Sequence, residues 1–499
     1  MALIINQRPS TSDVHGAYEQ LMYSLSSTDQ QSASNFNFRY IADLYVGGVM
    51  VSRVKVFPNT NGQGIIRVDK LIQDFLAITK ADQNVLTDGY YTDTIHTLGV
   101  NLSTAIFSKN NGETFRKVEL KFGQEYGNSA TATPTVYLNE ITGEYIDVIM
   151  SAGLRRLVTW DEGIPFWSYD SDWLNTYINT SANSYFLSDR TQANTAGFGS
   201  SLVPIYTPIV IDVFNLSYYT LGMLMDSSAP TSTTLQSVYV AAYKEDGTLI
   251  YGTHLIPGTD GGVAPGSVSN DSERLQFLGI GPGNLFAQTL DASLQAAMIN
   301  ADLGHYEVVG MNDTTTVPSS ATTANMTSTV YRFNINKCGS IYQNANTYPN
   351  ITIAWQNSFG AYDYQIFNLK DEFGQTIERK TFDQVAGNWD TANASQDWNF
   401  RGDEGGTRVA QVQSRQTLTA TTDLLQESDV ELLETLMISP SVFLISGFGN
   451  SLGVAPIVVK DTSFLKKRRV NERQPFLYQV RFEFAKPRPT TKGGTYRGY

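Results

Sequence analysis

From Phe476 to Phe484 every second residue is large and apolar (Phe476, Tyr478, Val480, Phe482, Phe484), and the residues between them are mostly polar. That is the period of a strand with one buried and one wet face. The same beat recurs at Phe36, Phe38, Tyr40, Ala42, Leu44 and Val46, is broken by Gly47-Gly48, and resumes from Val49 to Phe57, which predicts a hairpin. Further strands are expected at Lys117–Phe122, Thr135–Leu138, Tyr145–Met150, Ile209–Phe214, Ser237–Tyr243, Thr248–Leu255 and Thr329–Ile335. Turn signals such as Asp246-Gly247, Pro257-Gly258 and Pro282-Gly283 separate them.

Helical spacing is scarce. Val68, Leu71, Ile72, Phe75 and Leu76 form one apolar helical stripe. A second helix is expected from the capping box Ser428–Glu431 through Val430, Leu433, Leu436 and Met437 until Pro440 stops it. A third is suggested by the Ala, Leu and Met content of Leu290–Ala301. The expected fold class is therefore mainly β, with several β-sandwich-like domains and two or three short packing helices.

The chain has 499 residues, about three domains' worth at roughly 150 residues each. Composition shifts and the polar stretches 258–272, 312–328 and 388–407 divide it into 1–95 (β with one helix), 96–220 (β), 221–325 (β with long loops), 326–485 (β with one helix) and a basic tail, 486–499. No period of 20 to 50 residues is present, which disfavours solenoids and propellers.

Charged residues make up 17% of the chain, with 12% aromatic and 41% hydrophobic, a balance that excludes a disordered chain. The net charge is −13, which argues against a general nucleic-acid binder. It is unevenly spread. From Lys460 onward 11 Lys/Arg stand against 3 acids, a net of +8 that leaves −21 on the rest. Cys338 is the single cysteine, so no disulfide forms within the chain. The start, Met1 to Arg8, lacks the charged and apolar regions of a secretion signal, and no apolar run is long enough to span a membrane as a helix. The expectation is a chain made and retained in a cytoplasm. Its Asn-x-Ser/Thr matches, such as Asn215-Leu216-Ser217, are those chance supplies in an Asn/Thr-rich sequence.

No catalytic constellation emerges. His15, His96, His254 and His305 are isolated in sequence, and with one cysteine no zinc site of the usual spacing can be written. Gly449-Asn450-Ser451-Leu452-Gly453 matches a nucleophile elbow, but every histidine precedes Ser451, so it reads as a Gly-rich turn. Gly279-Ile280-Gly281-Pro282-Gly283-Asn284 imitates a dinucleotide loop with Asn at the third Gly, and also reads as a turn. Arg401-Gly402-Asp403 lies in a loop rich in Gly and acids, where chance explains it. The cluster Trp160, Phe166, Trp167, Tyr169, Trp173 and Tyr177, interleaved with Asp161, Glu162, Asp170 and Asp172, fits a glycan cleft, but fits a core or subunit interface better. The expectation is a non-enzyme with neither cofactor nor metal, and the profile of an assembly component.

The second half carries a recognisable pattern: Tyr331-Arg332-Phe333-Asn334-Ile335-Asn336-Lys337-Cys338, then Ile353–Phe367 with Trp355-Gln356-Asn357-Ser358-Phe359-Gly360-Ala361-Tyr362-Asp363, then Glu378-Arg379-Lys380, the helix with Ser439-Pro440-Ser441-Val442-Phe443, and Pro456–Phe464 before the closing strand. With Tyr18–Leu25, Phe36–Val46, Lys55–Pro58 and Val68–Leu76, it resembles virion structural proteins of tailed phages infecting Bacteroidetes, especially the crAss-like group, in which a W-x-N-x-x-G-G-x-D stretch is typical. Ala361 stands where the second Gly usually falls, which asks more of the turn's φ angles. The resemblance covers roughly the first 80 and last 170 residues. It implies a structural protein of a short-tailed phage, an oligomeric ring in the tail or neck that contacts other tail and portal proteins, is assembled in the host cytoplasm, and lets DNA pass without binding it specifically. The alternatives are a tail-tip or head-fibre adhesin holding host glycan with the Trp160–Tyr177 cluster, or a depolymerase using its carboxylates.

From the residues themselves, Trp355, Asn357, Gly360 and Asp363 are expected to form a structural turn, with Trp355 in the core and Asn357 and Asp363 binding loop amides. In the tail, Lys486, Arg488, Tyr496, Arg497 and Tyr499 are expected to make a subunit contact, by charge attraction and ring burial. The acidic body is expected to repel DNA in a channel.

Overall fold

The computed structural model describes residues 3–9, 14–16, 21–32, 34–76, 95–98, 105–109, 115–138, 146–151, 186–190, 208–225, 234–267, 275–336, 351–357, 359–389, 398–399, 405–423, 425, 427–445, 454–464 and 477–485. The Trp160–Tyr177 cluster, Gly449–Gly453, Arg401–Asp403 and the tail residues Lys486, Arg488, Tyr496, Arg497 and Tyr499 lie outside them. The described chain is mainly β, built of several multi-stranded, largely antiparallel sheets with few helices, consistent with sandwich-like domains.

The N-terminal part holds a three-stranded sheet, ordered Leu3–Gln7, Met22–Ser27, Gly64–Arg67. Beside it is a larger one ordered Val14–Gly16, Ile146–Ser151, Phe115–Gly127, Phe36–Val46, Val49–Val56, with Thr135–Leu138 also on Phe115–Gly127. Phe38, Tyr40, Ala42, Leu44 and Val46 are buried in one core with Tyr23, Leu120 and Phe122. The alternation is imperfect, since Ile41 and Asp43 on the other face are buried too. Asp43 tolerates this because Arg53 grips it with two hydrogen bonds of 2.6 and 2.7 Å. The first helix is shorter than its stripe suggests, Asp69–Gln73, with Val68, Ile72 and Leu76 buried and Leu71 facing out.

In the middle, one sheet is ordered Phe186–Leu187, Thr220–Leu224, Leu275–Gly279, Phe107–Lys109, and another Ile209–Phe214, Tyr331–Asn336, Leu303–Met311, Ser237–Lys244, Leu249–Leu255. Ile209–Phe214 pairs in parallel with Tyr331–Asn336, and Phe107–Lys109 pairs with Leu275–Gly279. Ladder hydrogen bonds therefore join the segments 96–220, 221–325 and 326–485. The run read as a turn around Pro282 is instead the start of a short helix, Pro282–Ala287, because Pro at a first helical position loses no needed N–H. Ala292–Met298 follows, capped by Asp291, whose carboxylate accepts from the amides of Ser293 and Leu294.

The C-terminal sheet has seven strands, ordered Tyr362–Phe367, Ile351–Gln356, Val442–Ile445, Val454–Val459, Gln479–Phe484, Gly406–Thr421, Asp371–Gln384. The helix Glu427–Ile438 packs Val430, Leu433 and Leu436 on Ile353, Trp355, Leu418, Val480 and Phe482. It starts one residue before Ser428, which puts that residue inside the first turn instead of at the cap. Asp371–Gln384 and Gly406–Thr421 form a long two-stranded ribbon, and a short pair, Asn388–Trp389 and Trp398–Asn399, lies beyond it within the polar stretch 388–407. Among the described residues no helix is long and apolar enough to cross a membrane.

Candidate functional site

Strands Ile351–Gln356 and Tyr362–Phe367 pair with Trp355 opposite Asp363 and Gln356 opposite Tyr362, leaving a five-residue connection. Every residue of both strands is buried. Alternate side chains enter different cores: Ile351, Ile353 and Trp355 pack with the Glu427–Ile438 helix, whereas Ala354, Tyr362 and Tyr364 join the central core. Polar Thr352, Gln356, Asp363 and Gln365 interleave with the apolar residues, yet they are buried too, so the alternation here does not mark a wet face.

Trp355 is fully buried, and its indole N–H donates to Thr435 Oγ1 at 2.9 Å. Asn357 folds the connection around itself. Its Oδ1 accepts from the amides of Phe359 (3.1 Å) and Ala361 (3.0 Å), and its Nδ2 donates to Leu187 O (2.9 Å) and Asp363 Oδ2 (3.2 Å). Both amide hydrogens and both acceptor positions are thereby used. Among the described residues of the connection Gly360 is left-handed, at φ 83°, where a Cβ would be strained. Ala361 is not left-handed, so the extra φ demand expected of it does not arise.

Asp363 serves a different segment from its own connection. Its carboxylate accepts from Ser188 Oγ at 2.5 Å and from the Asp189 amide at 2.9 Å, besides Asn357. Burial pushes its pKa up, while Ser188, the Asp189 amide, Arg190 and Asn357 oppose that shift. The Arg190 guanidinium donates from Nη2 to Tyr364 O (2.9 Å) and Gln365 Oε1 (2.6 Å). Sequence reasoning missed Ser188, Asp189 and Arg190, because they lie about 175 residues from Asp363 and belong to no local pattern.

The other face of the hairpin meets His96. Its Nδ1 shares a 2.6 Å hydrogen bond with the Tyr364 hydroxyl, and its ring stands edge-on to Tyr362 at 4.7 Å. Tyr364 stacks on Tyr219 at 4.2 Å. Asn284, the misfit in the supposed phosphate loop, holds this corner: Nδ2 donates to His96 O (3.0 Å) and Leu98 O (2.8 Å), and Oδ1 accepts from the Tyr219 amide (2.9 Å). That misfit is the one sequence signal pointing here. Thr220 Oγ1 donates to Ile95 O at 2.7 Å.

The junction thus ties together segments near residues 96, 188, 219, 284 and 360. Asn357 and Asp363 are fully buried and His96 is 1% exposed, and their hydrogen bonds run between distant chain segments. Among the described residues no three His, Cys, Asp or Glu side chains gather as metal ligands.

Burial pushes the His96 pKa down to about 3, against about 6.5 in an unfolded chain. Between those values the unfolded chain binds one proton more, so this contribution is complete above pH 6.5 and is lost as the pH falls below it, at about 1.4 kcal/mol per unit. His96→Gln should flatten the acid side of the stability profile: the drop in melting temperature from pH 7 to pH 5 shrinks relative to the parent. A variant that loses as much on acidification as the parent contradicts this. Compared with known proteins, the chain matches no family model and no curated protein sequence.

Proposed function

We propose that this chain is a structural protein of a phage virion, forming an oligomeric ring in the tail or neck that DNA passes through without being specifically bound. The observation that carries the reading is the contrast between a closed interior and an open edge. The polar side chains of the junction face one another, while the C-terminal sheet ends in a long ribbon whose outer strand is exposed along almost its whole length. Long unpaired edges are surfaces that add strands from other chains. The charge distribution supports the same reading: a net of −21 before Lys460 repels phosphate, and the +8 that follows can engage acidic surfaces. Tail residues Lys486, Arg488, Tyr496, Arg497 and Tyr499 are proposed to dock on a neighbouring ring.

Sedimentation of the full chain over a range of concentrations tests the proposal. A ring protein gives one species at a fixed multiple of the chain mass, above two. A single copy at every concentration contradicts the reading.

A further inference from the structure

Between strands Leu303–Met311 and Tyr331–Asn336 the chain makes a loop that is shut at its neck. The Asn312 amide donates to Asn325 O at 2.9 Å, and Asn325 Nδ2 donates to Asp313 Oδ2 at 2.7 Å. The body of the loop is bonded to itself. Asp313 Oδ1 accepts from the amides of Thr315 (3.0 Å) and Thr316 (2.8 Å), Thr322 Oγ1 accepts from the Ser319 amide (2.8 Å), and the Thr322 amide donates to Ser319 O (3.1 Å). A loop that carries its own bonds can move as one piece.

Its hold on the sheet runs through a hydroxyl. Ser237, fully buried at the start of strand Ser237–Lys244, donates from Oγ to Asp313 O, and the same oxygen lies 2.9 Å from His254 Nδ1. A hydroxyl has one hydrogen. The Asp313 carbonyl only accepts and takes that hydrogen, so the hydrogen between Ser237 and the ring comes from Nδ1 of His254. The neutral ring therefore leaves Nε2 bare, and Nε2 is buried with no hydrogen-bond partner among the described residues. A proton added there puts charge on a buried nitrogen with no acceptor in place, which is costly.

Among the described residues two titratable groups face the ring: Tyr239 of the neighbouring strand, edge-on at 4.9 Å, and the Asp313 carboxylate from the loop. Residues 314–325 carry no titratable side chain. Burial pushes the His254 pKa down, against the opposing pull of Asp313 and the Thr316 backbone. Burial would raise the Asp313 carboxyl, but the bonds from Thr316, Thr315 and Asn325 prevail and hold it below the ordinary carboxylate range. Between pH 7 and pH 5 the histidine is thus the group of this site whose charge changes.

We propose that residues 313–325 are a pH-sensitive flap, held on the sheet by neutral His254 through Ser237 and released by acid as one piece hinged at Asn312 and Asn325. Release lets water reach Nε2 while the loop's own bonds stay made. The open form takes up the proton that the closed form resists, so the open-to-closed ratio rises by up to tenfold per pH unit below about 6.5. The flap belongs to the single chain and does not depend on ring assembly.

Spin labels on Thr248→Cys and Ala321→Cys, both exposed positions, in the full chain with Cys338→Ser report the separation of loop and sheet by pulsed electron double resonance. The expected result is one separation at pH 7 and a second, longer one whose share grows as the pH falls to 5 and shrinks again on return. His254→Gln keeps a donor for Ser237 but does not titrate, so its separation stays at the pH 7 value throughout. Ser237→Ala cuts the link without touching the ring and shows the longer separation already at pH 7. Each variant is checked for parental far-ultraviolet circular dichroism. Parent separations that do not change between pH 7 and pH 5 overturn the proposal. A longer separation that grows equally in His254→Gln, or one missing at pH 7 in Ser237→Ala, overturns it as well.

Discussion

Replacing Asp363 by alanine lowers the folding free energy by about 3 to 5 kcal/mol, the cost of removing one side of a buried charged network. The Ser188 hydroxyl, the Asp189 amide and one Asn357 hydrogen lose their acceptor together, and Arg190 keeps its charge without the carboxylate beside it. Asp363→Asn keeps the shape and part of the hydrogen bonding, so its loss is smaller. Urea midpoints of the parent and the two variants check the order. An alanine variant within about 1 kcal/mol of the parent, less than one buried unsatisfied group costs, contradicts the account.

The second large effect concerns a close approach. Strand Thr220–Leu224 passes the hairpin connection so tightly that a Cβ on Gly222 would lie 2.4 Å from Cβ of Ala361. Gly222→Ala should therefore destabilise by about 1 to 3 kcal/mol, as overpacking of a tight core does. Ala361→Gly removes the obstructing methyl, so the double variant should recover most of the loss. Additive losses in this cycle, with no recovery, would show that the two methyl positions do not collide.

Strands with one wet face were legible. Ile209–Phe214 falls where the sequence set it, and Tyr478, Val480 and Phe482 turn inward as their spacing requires. The ribbon was not. Asp371–Gln384 is exposed on both faces, so no alternation of buried and wet positions marks its period. The helix at Asp69 was overdrawn for a related reason, since Leu71 matches the helical stripe yet points outward. At the junction Trp355, Asn357, Gly360 and Asp363 are visible as a local pattern. The bonds of Asp363 to Ser188 and Asp189 and the His96–Tyr364 bond span 174 to 268 residues, which no periodicity encodes.

Copies of this chain are proposed to close on themselves around an opening, and electron-microscope images of the purified full chain, sorted into end-on views, decide whether they do. Closed rings of one fixed copy number with a central lumen are the expected result. Single globules, or open filaments that never close, would overturn the ring.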